Sequence, residues 1–310
     1  MDNLSLVSRI RKVAEPDKVA LIYEQSAYTY VQLLELVDDF AKKLSYLGVK
    51  KQSKVITLLS NSVEMTALML AIADIGAVLI PLNPEYKQTQ ISKAAIVTKA
   101  EFVIHEKDLV LSQPIKQIDL RCLQDTPLRD YLATNSADDL YILTMTSGST
   151  GEPKPICFSQ QTKIDRAFGA KEIYGLDSQD IILCGTPQYH SLAQRLTLLP
   201  LLLGGTCLLL KQFSPKAWIN EIKLHKVTFT IAVSSQLVNV LSLLEKEKLQ
   251  LNSLKRIVSS SASIEEDIKG KLIKLLSCPI HECYGASEVG TVTDFDASNE
   301  IHKVASVGKV

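Results

Sequence analysis

The stretch Thr146-Ser-Gly-Ser-Thr-Gly-Glu-Pro-Lys154 concentrates hydroxyls, two glycines and a lysine directly behind the apolar run Leu140–Met145. Each of these residue types has a use for an anion. Glycine lets backbone N–H groups approach a ligand closely, and successive N–H groups in a turn form an anion-binding concavity. Ser and Thr add hydroxyl donors, and Lys adds a mobile cation. The set suits a polyphosphate. A generic Gly/Ser loop is more often a polar turn between strands, but the density of donors here favours phosphate. The stretch is not a Walker loop, which needs Gly-x-x-x-x-Gly-Lys-[Ser/Thr] opening a helix. Here the glycines are Gly148 and Gly151, and Pro153 separates Glu152 from Lys154. Nor is it a Gly-x-Gly-x-x-Gly dinucleotide turn.

Three further segments hold groups that could do chemistry: Pro187-Gln-Tyr-His190, Ser259-Ser-Ser-Ala-Ser263 and Tyr284-Gly-Ala-Ser-Glu288. Taken singly, each has an ordinary explanation. A lone His is more often structural than catalytic. Tyr284 would serve as a core aromatic, Ser287 as a helix cap and Glu288 as a first-turn carboxylate. His281-Glu282 is not followed by a second His at zinc-protease spacing, so that pattern is absent.

The elements that must position these groups alternate. Thr29-x-x-Gln32 reads as a capping box before a helix that Gly48 closes. Lys54–Leu59 reads as a buried strand, Asn61-x-x-Glu64 as the start of a helix ended by Gly76, and Ala77–Leu82 as a short strand. A helix near Glu85–Val97 and a strand at Glu101–His105 follow, and residues 106–139 read as a polar connection. After Leu140–Met145 come a strand at Pro155–Phe158 and a helix from Gln160 to Ile173. Strands at Asp180–Cys184, Thr206–Leu210, Thr228–Val233, Lys255–Ser259 and Pro279–Cys283 then alternate with helices at Leu192–Leu203, Pro215–His225, Gln236–Leu244 and Ile264–Leu276. Such alternation predicts an α/β fold: two similar sheet-and-helix subdomains with mainly parallel strands and a ligand cleft between them. The expected division is a first part at 1–139, a second part at 140–290 carrying the phosphate loop, and the start of a further segment at 291–310.

Composition bounds the function classes. The chain has 310 residues, 46% of them hydrophobic and 22% charged, as in a folded globular protein. Lys+Arg and Asp+Glu both number 34, so no net field favours nucleic acid or anionic lipid. The six cysteines lack Cys-x-x-Cys spacing and the N-terminus lacks a signal peptide, which together predict reduced thiols and a cytoplasmic location. Met65–Leu82 and Leu198–Leu210 are apolar, but they are interrupted by Asp74 and Gly76, and by Pro200, Gly204 and Gly205. No transmembrane segment is expected.

Taken together, the motifs resemble the adenylate-forming (AMP-binding, acyl-CoA synthetase) superfamily. Thr146–Lys154 is similar to its phosphate-loop signature, and Tyr284–Glu288 to its Tyr-Gly-x-Thr-Glu with Ser287 in place of Thr. Pro187–His190 resembles the Pro-x-x-His of acyl-CoA ligases, and Ser259–Ser263 falls where the family carries its adenine loop. Tyr28-Thr29-Tyr30 and Gly76–Pro84 are weaker echoes in the same order. The resemblance implies Mg²⁺- and ATP-dependent activation of a fatty or aryl carboxylic acid to an acyl-adenylate, then thioester formation with coenzyme A. Transfer to the phosphopantetheine of an acyl carrier protein is the alternative acceptor. A nucleotide-binding module, or one half of a split enzyme without turnover of its own, is the alternative class.

By the same resemblance, Thr146, Ser147, Gly148, Ser149, Thr150, Gly151 and Lys154 hold the terminal phosphates. Ser261, Ala262 and Tyr284 meet adenine with Gly285, Ser287 bonds the α-phosphate, and Glu288 with Thr146 helps to hold magnesium. His190 lies near the acyl carboxylate, and His190, Lys154 and Glu288 are the expected catalytic residues. Ser191, Ser235, Cys283, Gly285 and Gly290, with Ala193 and Ser234, are small residues that could line an acyl pocket. Pro187–Gln194 holds no acid, which argues against an amino acid substrate. Pro155, Gln160 and Ser234-Ser235 depart from the family pattern. Family members continue into an Asp-bearing hinge and a lysine-bearing lid domain. The chain stops before either, so it is expected to be a truncated N-terminal core.

Overall fold

A computed structural model describes residues 3–111, 114–133, 135–147, 153–276, 278–299, 306 and 308. Among these, the first half of the chain runs α1 (Leu6–Val13), β1 (Val19–Tyr23), β2 (Ser26–Thr29), α2 (Tyr30–Tyr46), β3 (Lys54–Leu58), α3 (Val63–Ile75), β4 (Val78–Pro81), α4 (Gln88–Thr98), β5 (Phe102–His105), β6 (Lys116–Asp119) and α5 (Leu120–Leu123). The second half runs β7 (Leu140–Ser147), β8 (Pro153–Ser159), α6 (Gln160–Tyr174), β9 (Ile181–Cys184), α7 (Ser191–Leu203), β10 (Thr206–Leu209), α8 (Pro215–His225), β11 (Phe229–Val233), α9 (Ser234–Glu247), β12 (Arg256–Ser260), α10 (Glu266–Leu276), β13 (Ile280–Ala286) and β14 (Gly290–Asp296).

Two sheets result. The larger has the order β14-β13-β12-β11-β9-β10-β1-β2 and the smaller β6-β5-β3-β4-β7-β8. Pairing is parallel throughout except in three hairpins, β1–β2, β7–β8 and β13–β14. Sheet membership cuts across the chain-order blocks 1–139 and 140–290. The β1–β2 hairpin joins the larger sheet beside β10, in register Leu21↔Cys207. The β7–β8 hairpin completes the smaller sheet, with Leu79↔Ile142 in register. Periodicity alone does not reveal such crossovers, because an apolar strand suits either sheet.

Alternation along the strands explains the layering. Ile182 and Cys184 on β9, Cys207 and Leu209 on β10, and Leu79 on β4 face one central core together with α1, α2, α3, α6 and α7. Their strand neighbours Leu183 and Leu208 face the outer helices α8, α9 and α10. Val78 and Ile80 face α4. Both faces of both sheets are therefore covered, as parallel strands require. Met65–Leu82 divides into α3 and β4, and Leu198–Leu210 into α7 and β10. Among the described residues, no helix is long and apolar enough to cross a membrane.

Three local expectations hold and three change. The Thr29–Gln32 capping box forms, Gly48 and Gly76 take left-handed conformations (φ 98° and 77°) after their helices, and α8 begins at Pro215. The connection 106–139 contains β6 and the short α5. The stretch after Val289 contains β14, an edge strand in which only Phe295 is buried, too polar to announce itself. The cap of α3 is Ser62, not Asn61: its Oγ accepts the Met65 N–H at 3.0 Å. Asn61 is buried and ties the two sheets together. Its Nδ2 donates to the carbonyls of Thr186 (3.0 Å) and Leu210 (2.8 Å), and its Oδ1 accepts the Gln188 N–H at 2.6 Å. Asn61→Ala should therefore cost about 2–3 kcal/mol in urea unfolding, because buried polar groups lose their partners. A loss below about 0.5 kcal/mol, the range of an ordinary surface change, would refute this role.

Candidate active site

The phosphate-loop stretch is hung on the β7–β8 hairpin. Thr146 pairs with Lys154 and Ser147 with Pro153 as its last rungs. Gly148, Ser149, Thr150 and Gly151 lie outside the described residues, as do the side chains of Thr146 and Ser147. Lys154 is exposed on β8.

The second motif rides on the β13–β14 hairpin. A register shift between Tyr284 and Gly285 sets Gly285 opposite Thr291 and Ala286 opposite Gly290. Ser287, Glu288 and Val289 form the turn, and Gly290 closes it with φ 81°, a value that glycine adopts without steric cost. Arg166 on α6 fastens this turn: its Nη2 donates to the carbonyls of Ser287 (2.9 Å) and Glu288 (3.1 Å). Tyr284 keeps 60% of its surface exposed, so its ring is open to a stacking partner and is not a core aromatic.

Between α6, α7, the end of β12 and this hairpin lies a cavity of about 190 Å³. Six of the sequence-predicted residues line it: Ser191, Ser261, Cys283, Gly285, Ser287 and Gly290. Ser261 sits at φ 81°, just past β12. Others among them, Lys154, Ala193 and Ser234 included, do not line it. Ala262, Tyr284 and Glu288 are exposed beside it, and Ser235 is exposed on α9. His190 is the N-terminal cap residue of α7, with its carbonyl accepting the Gln194 N–H at 3.1 Å. Its ring is partly exposed, lies 4.4 Å from that of Tyr189, and has its pKa lowered by partial desolvation. Burial pushes the Cys283 thiol up to about 11, so it is a neutral wall rather than a nucleophile.

Three basic residues of the cavity escaped sequence reasoning: Lys163 and Arg166 on α6, and Arg195 on α7. Lys163 is 4% exposed, donates to Gln194 Oε1 at 2.9 Å and lies 4.3 Å from the Phe158 ring centroid. Desolvation, then the charge of Arg166, lowers its pKa to about 7. Arg195 Nη1 donates to Thr291 Oγ1 at 3.0 Å, while its Nε is buried with no hydrogen-bond partner among the described residues. Lys163 carried a readable signal. With Ala167, Ala170 and Tyr174 it falls on one helical stripe, and all four are buried.

Gln160, one of the departures from the family pattern, is 1% exposed and structural. Its Oε1 accepts the Leu6 N–H at 2.7 Å and its Nε2 donates to the Ala73 carbonyl at 3.0 Å, which ties α1 and α3 to the start of α6. A neutral amide satisfies both partners at once. Among the described residues, no group of three or more His, Cys, Asp or Glu is placed to hold a metal. Glu288 offers one exposed carboxylate at the rim. That fits magnesium, which is commonly held by one or two carboxylates plus substrate phosphate oxygens.

Comparison with known proteins identifies the family and the fold. The family model described as AMP-binding enzyme matches residues 10–310. A 2-succinylbenzoate–CoA ligase of Bacillus cytotoxicus is 24% identical over 304 residues, which cover 96% of this chain and 62% of that protein. A medium/long-chain-fatty-acid–CoA/3-oxocholest-4-en-26-oate–CoA ligase of Mycolicibacterium smegmatis is 28% identical over 326 residues, covering 89% and 59%. The chain thus spans somewhat less than two thirds of the length of these relatives. The structure of O-succinylbenzoate coenzyme A synthetase from Bacillus subtilis, in complex with AMP, superposes with a TM-score of 0.90 at 22% identity, covering 98% of this chain and 63% of that one. The fold is therefore that of the N-terminal domain of adenylate-forming enzymes. From the match over residues 10–310, the chain belongs to the AMP-binding enzyme family.

Proposed function

We propose that this chain is the nucleotide- and acid-binding core of an enzyme that activates a fatty or aryl carboxylic acid with ATP and passes the acyl group to coenzyme A. In the first step a carboxylate oxygen attacks the α-phosphorus of ATP. The bond to the bridging oxygen breaks, pyrophosphate leaves, and an acyl-adenylate remains. One observation carries the reading. Residues from three separate sequence motifs, Ser191 after Pro187–His190, Ser261 of the adenine-loop stretch, and Gly285 with Ser287, meet around one cavity.

The roles carry over from the motifs. Charge builds up on phosphate oxygens in this chemistry, so catalysis is positioning and electrostatic stabilisation. Thr146–Gly151 and Lys154 receive the leaving pyrophosphate, with Thr146–Gly151 assigned by motif alone. Tyr284 stacks on adenine beside Ser261 and Ala262, and Ser287 bonds the α-phosphate. Glu288, with Thr146, would hold magnesium, which supplies charge neutralisation on the phosphates when bound. The acyl chain enters the cavity, where the apolar walls of Ala167, Leu192 and Leu198 exclude water. Ser191, the first residue of α7, lines the cavity, and His190 precedes it as the cap of that helix.

Lys154→Ala should lower kcat/KM for ATP about a hundredfold, the scale of losing one donor to a developing anion. The melting temperature should move by no more than about 2 °C, because an exposed lysine contributes little to stability. Wild-type kinetics in this variant would remove Lys154 from the site. The acceptor is tested by incubating the full-length protein with ATP, acid and either coenzyme A or a phosphopantetheinylated carrier protein, then weighing the products. An acyl-CoA mass supports the proposal, whereas acylation of the carrier alone replaces coenzyme A as the acceptor.

A further inference from the structure

The cavity that lies ready for an acyl group carries an unusual charge. Lys163, Arg166 and Arg195 line it, and among the described residues no Asp or Glu does. Asp165 and Glu288 border an adjoining groove that shares both arginines but not Lys163. Glu288 offsets part of the burial penalty on Arg166, which Arg195 in turn makes worse. Lys163 is almost fully buried, and its hydrogen-bond partner is the neutral amide of Gln194. Arg195 holds the neutral hydroxyl of Thr291 and keeps a buried, unpaired Nε. A buried cation without a counter-charge is costly, and a pocket built only to hold a hydrocarbon chain would not carry this cost. The α-phosphate of an acyl-adenylate brings a single negative charge, which leaves the cluster uncompensated.

We infer that the acid taken by this pocket carries a second carboxylate, distinct from the one that is adenylated, and that Lys163 and Arg195 bind it. The inference rests on the adenylation reading above and narrows its substrate class to dicarboxylic acids. Arg195 supplies planar N–H donors that suit a carboxylate edge, and Lys163 supplies a compact charge beside it. The apolar walls Ala167, Leu192 and Leu198 receive the carbon skeleton between the two carboxylates. A monocarboxylic acid of equal length would leave both Lys163 and Arg195 with neutral partners only. Sites built to bind a polar group reject analogues that lack it.

The test is acid-dependent pyrophosphate–ATP exchange by the full-length protein on matched pairs: hexanoic and adipic acids, octanoic and suberic acids, phenylacetic and homophthalic acids. The dicarboxylic member of at least one pair should be preferred in kcat/KM by about tenfold to a hundredfold, with most of the difference in KM. Arg195→Leu and Lys163→Met should each bring that ratio towards one, and Arg195→Lys should restore part of it. A structural defect alone would lower both members of a pair together and leave the ratio unchanged. Preference for the monocarboxylic member in every pair, or a dicarboxylic preference that neither variant reduces, would overturn the inference and leave adenylation standing. No exchange with any acid would overturn the adenylation reading and this inference with it.

Discussion

Gly285→Ala is expected to abolish acid-dependent ATP turnover and to cost about 3 kcal/mol of stability. A Cβ at this position would meet the Gly290 carbonyl oxygen at 1.9 Å, the Gly290 carbonyl carbon at 2.9 Å and the Thr291 Cα at 3.1 Å. All three are backbone atoms of the facing strand β14, so no side-chain rotation relieves the contact. The hairpin must spread where its register already shifts, between Tyr284 and Gly285. That displaces the Ser287–Glu288 turn held by Arg166 and the cavity wall formed by Cys283 and Gly290. Misplacing positioning groups by about 1 Å can cost a hundredfold in rate. The control is Gly270→Ala on α10, where a new Cβ meets nothing within 4 Å and helix propensity favours alanine. Urea unfolding and pyrophosphate exchange on both variants decide the point. A Gly285→Ala protein with wild-type exchange would show that the hairpin does not position the reacting groups.

Lys269→Met is expected to destabilise the protein by about 3–5 kcal/mol, the usual cost of breaking a buried ion pair from one side. Lys269 on α10 is 1% exposed and Glu282 on β13 is 2% exposed, and their charged ends form an ion pair. The same carboxylate accepts the Ile264 N–H at 3.3 Å, so it anchors the chain directly after Ser261 and Ala262. The substitution would strand a buried carboxylate and loosen one border of the proposed adenine site. The double variant Lys269→Met with Glu282→Leu should recover most of the loss, because buried pairs are often replaceable by packed apolar groups. About 1 kcal/mol should remain for the lost Ile264 bond. A single-variant loss that the second substitution does not reduce would show that the pair is not the cause.

How much of this was legible in sequence depends on the physical signal each feature leaves. Apolar runs bounded by caps and glycines located the central strands and helices, because burial on both faces leaves a continuous hydrophobic stretch. β14 and β6 were missed because each is an edge strand with one buried residue, Phe295 and Ile118 respectively. The assignment of β1–β2 and β7–β8 to sheets depends on long-range register, on which local periodicity is silent. The motif residues Ser191, Ser261, Cys283, Gly285, Ser287 and Gly290 do share a cavity, but their spacing gave no hint of the cations opposite them. Lys163 shares a stripe with Ala167, Ala170 and Tyr174, but a lysine three residues before an arginine also reads as part of a solvated face, and only the packing of α6 against α7 decides between the two. Asn61 went to the wrong role because an Asx residue before a helix reads as a cap, whereas here a buried inter-sheet contact claims its side chain.

The central claim, carboxylate activation by ATP in the cavity between α6, α7 and the β13–β14 hairpin, is tested most directly by pyrophosphate–ATP exchange. The full-length protein is incubated with ATP, labelled pyrophosphate and a panel of aliphatic, aryl, dicarboxylic and amino acids. Label should enter ATP only when an acid is present, and for no amino acid, since Pro187–Gln194 offers no carboxylate to an ammonium group. Proven ATP binding without exchange for any acid would contradict the account.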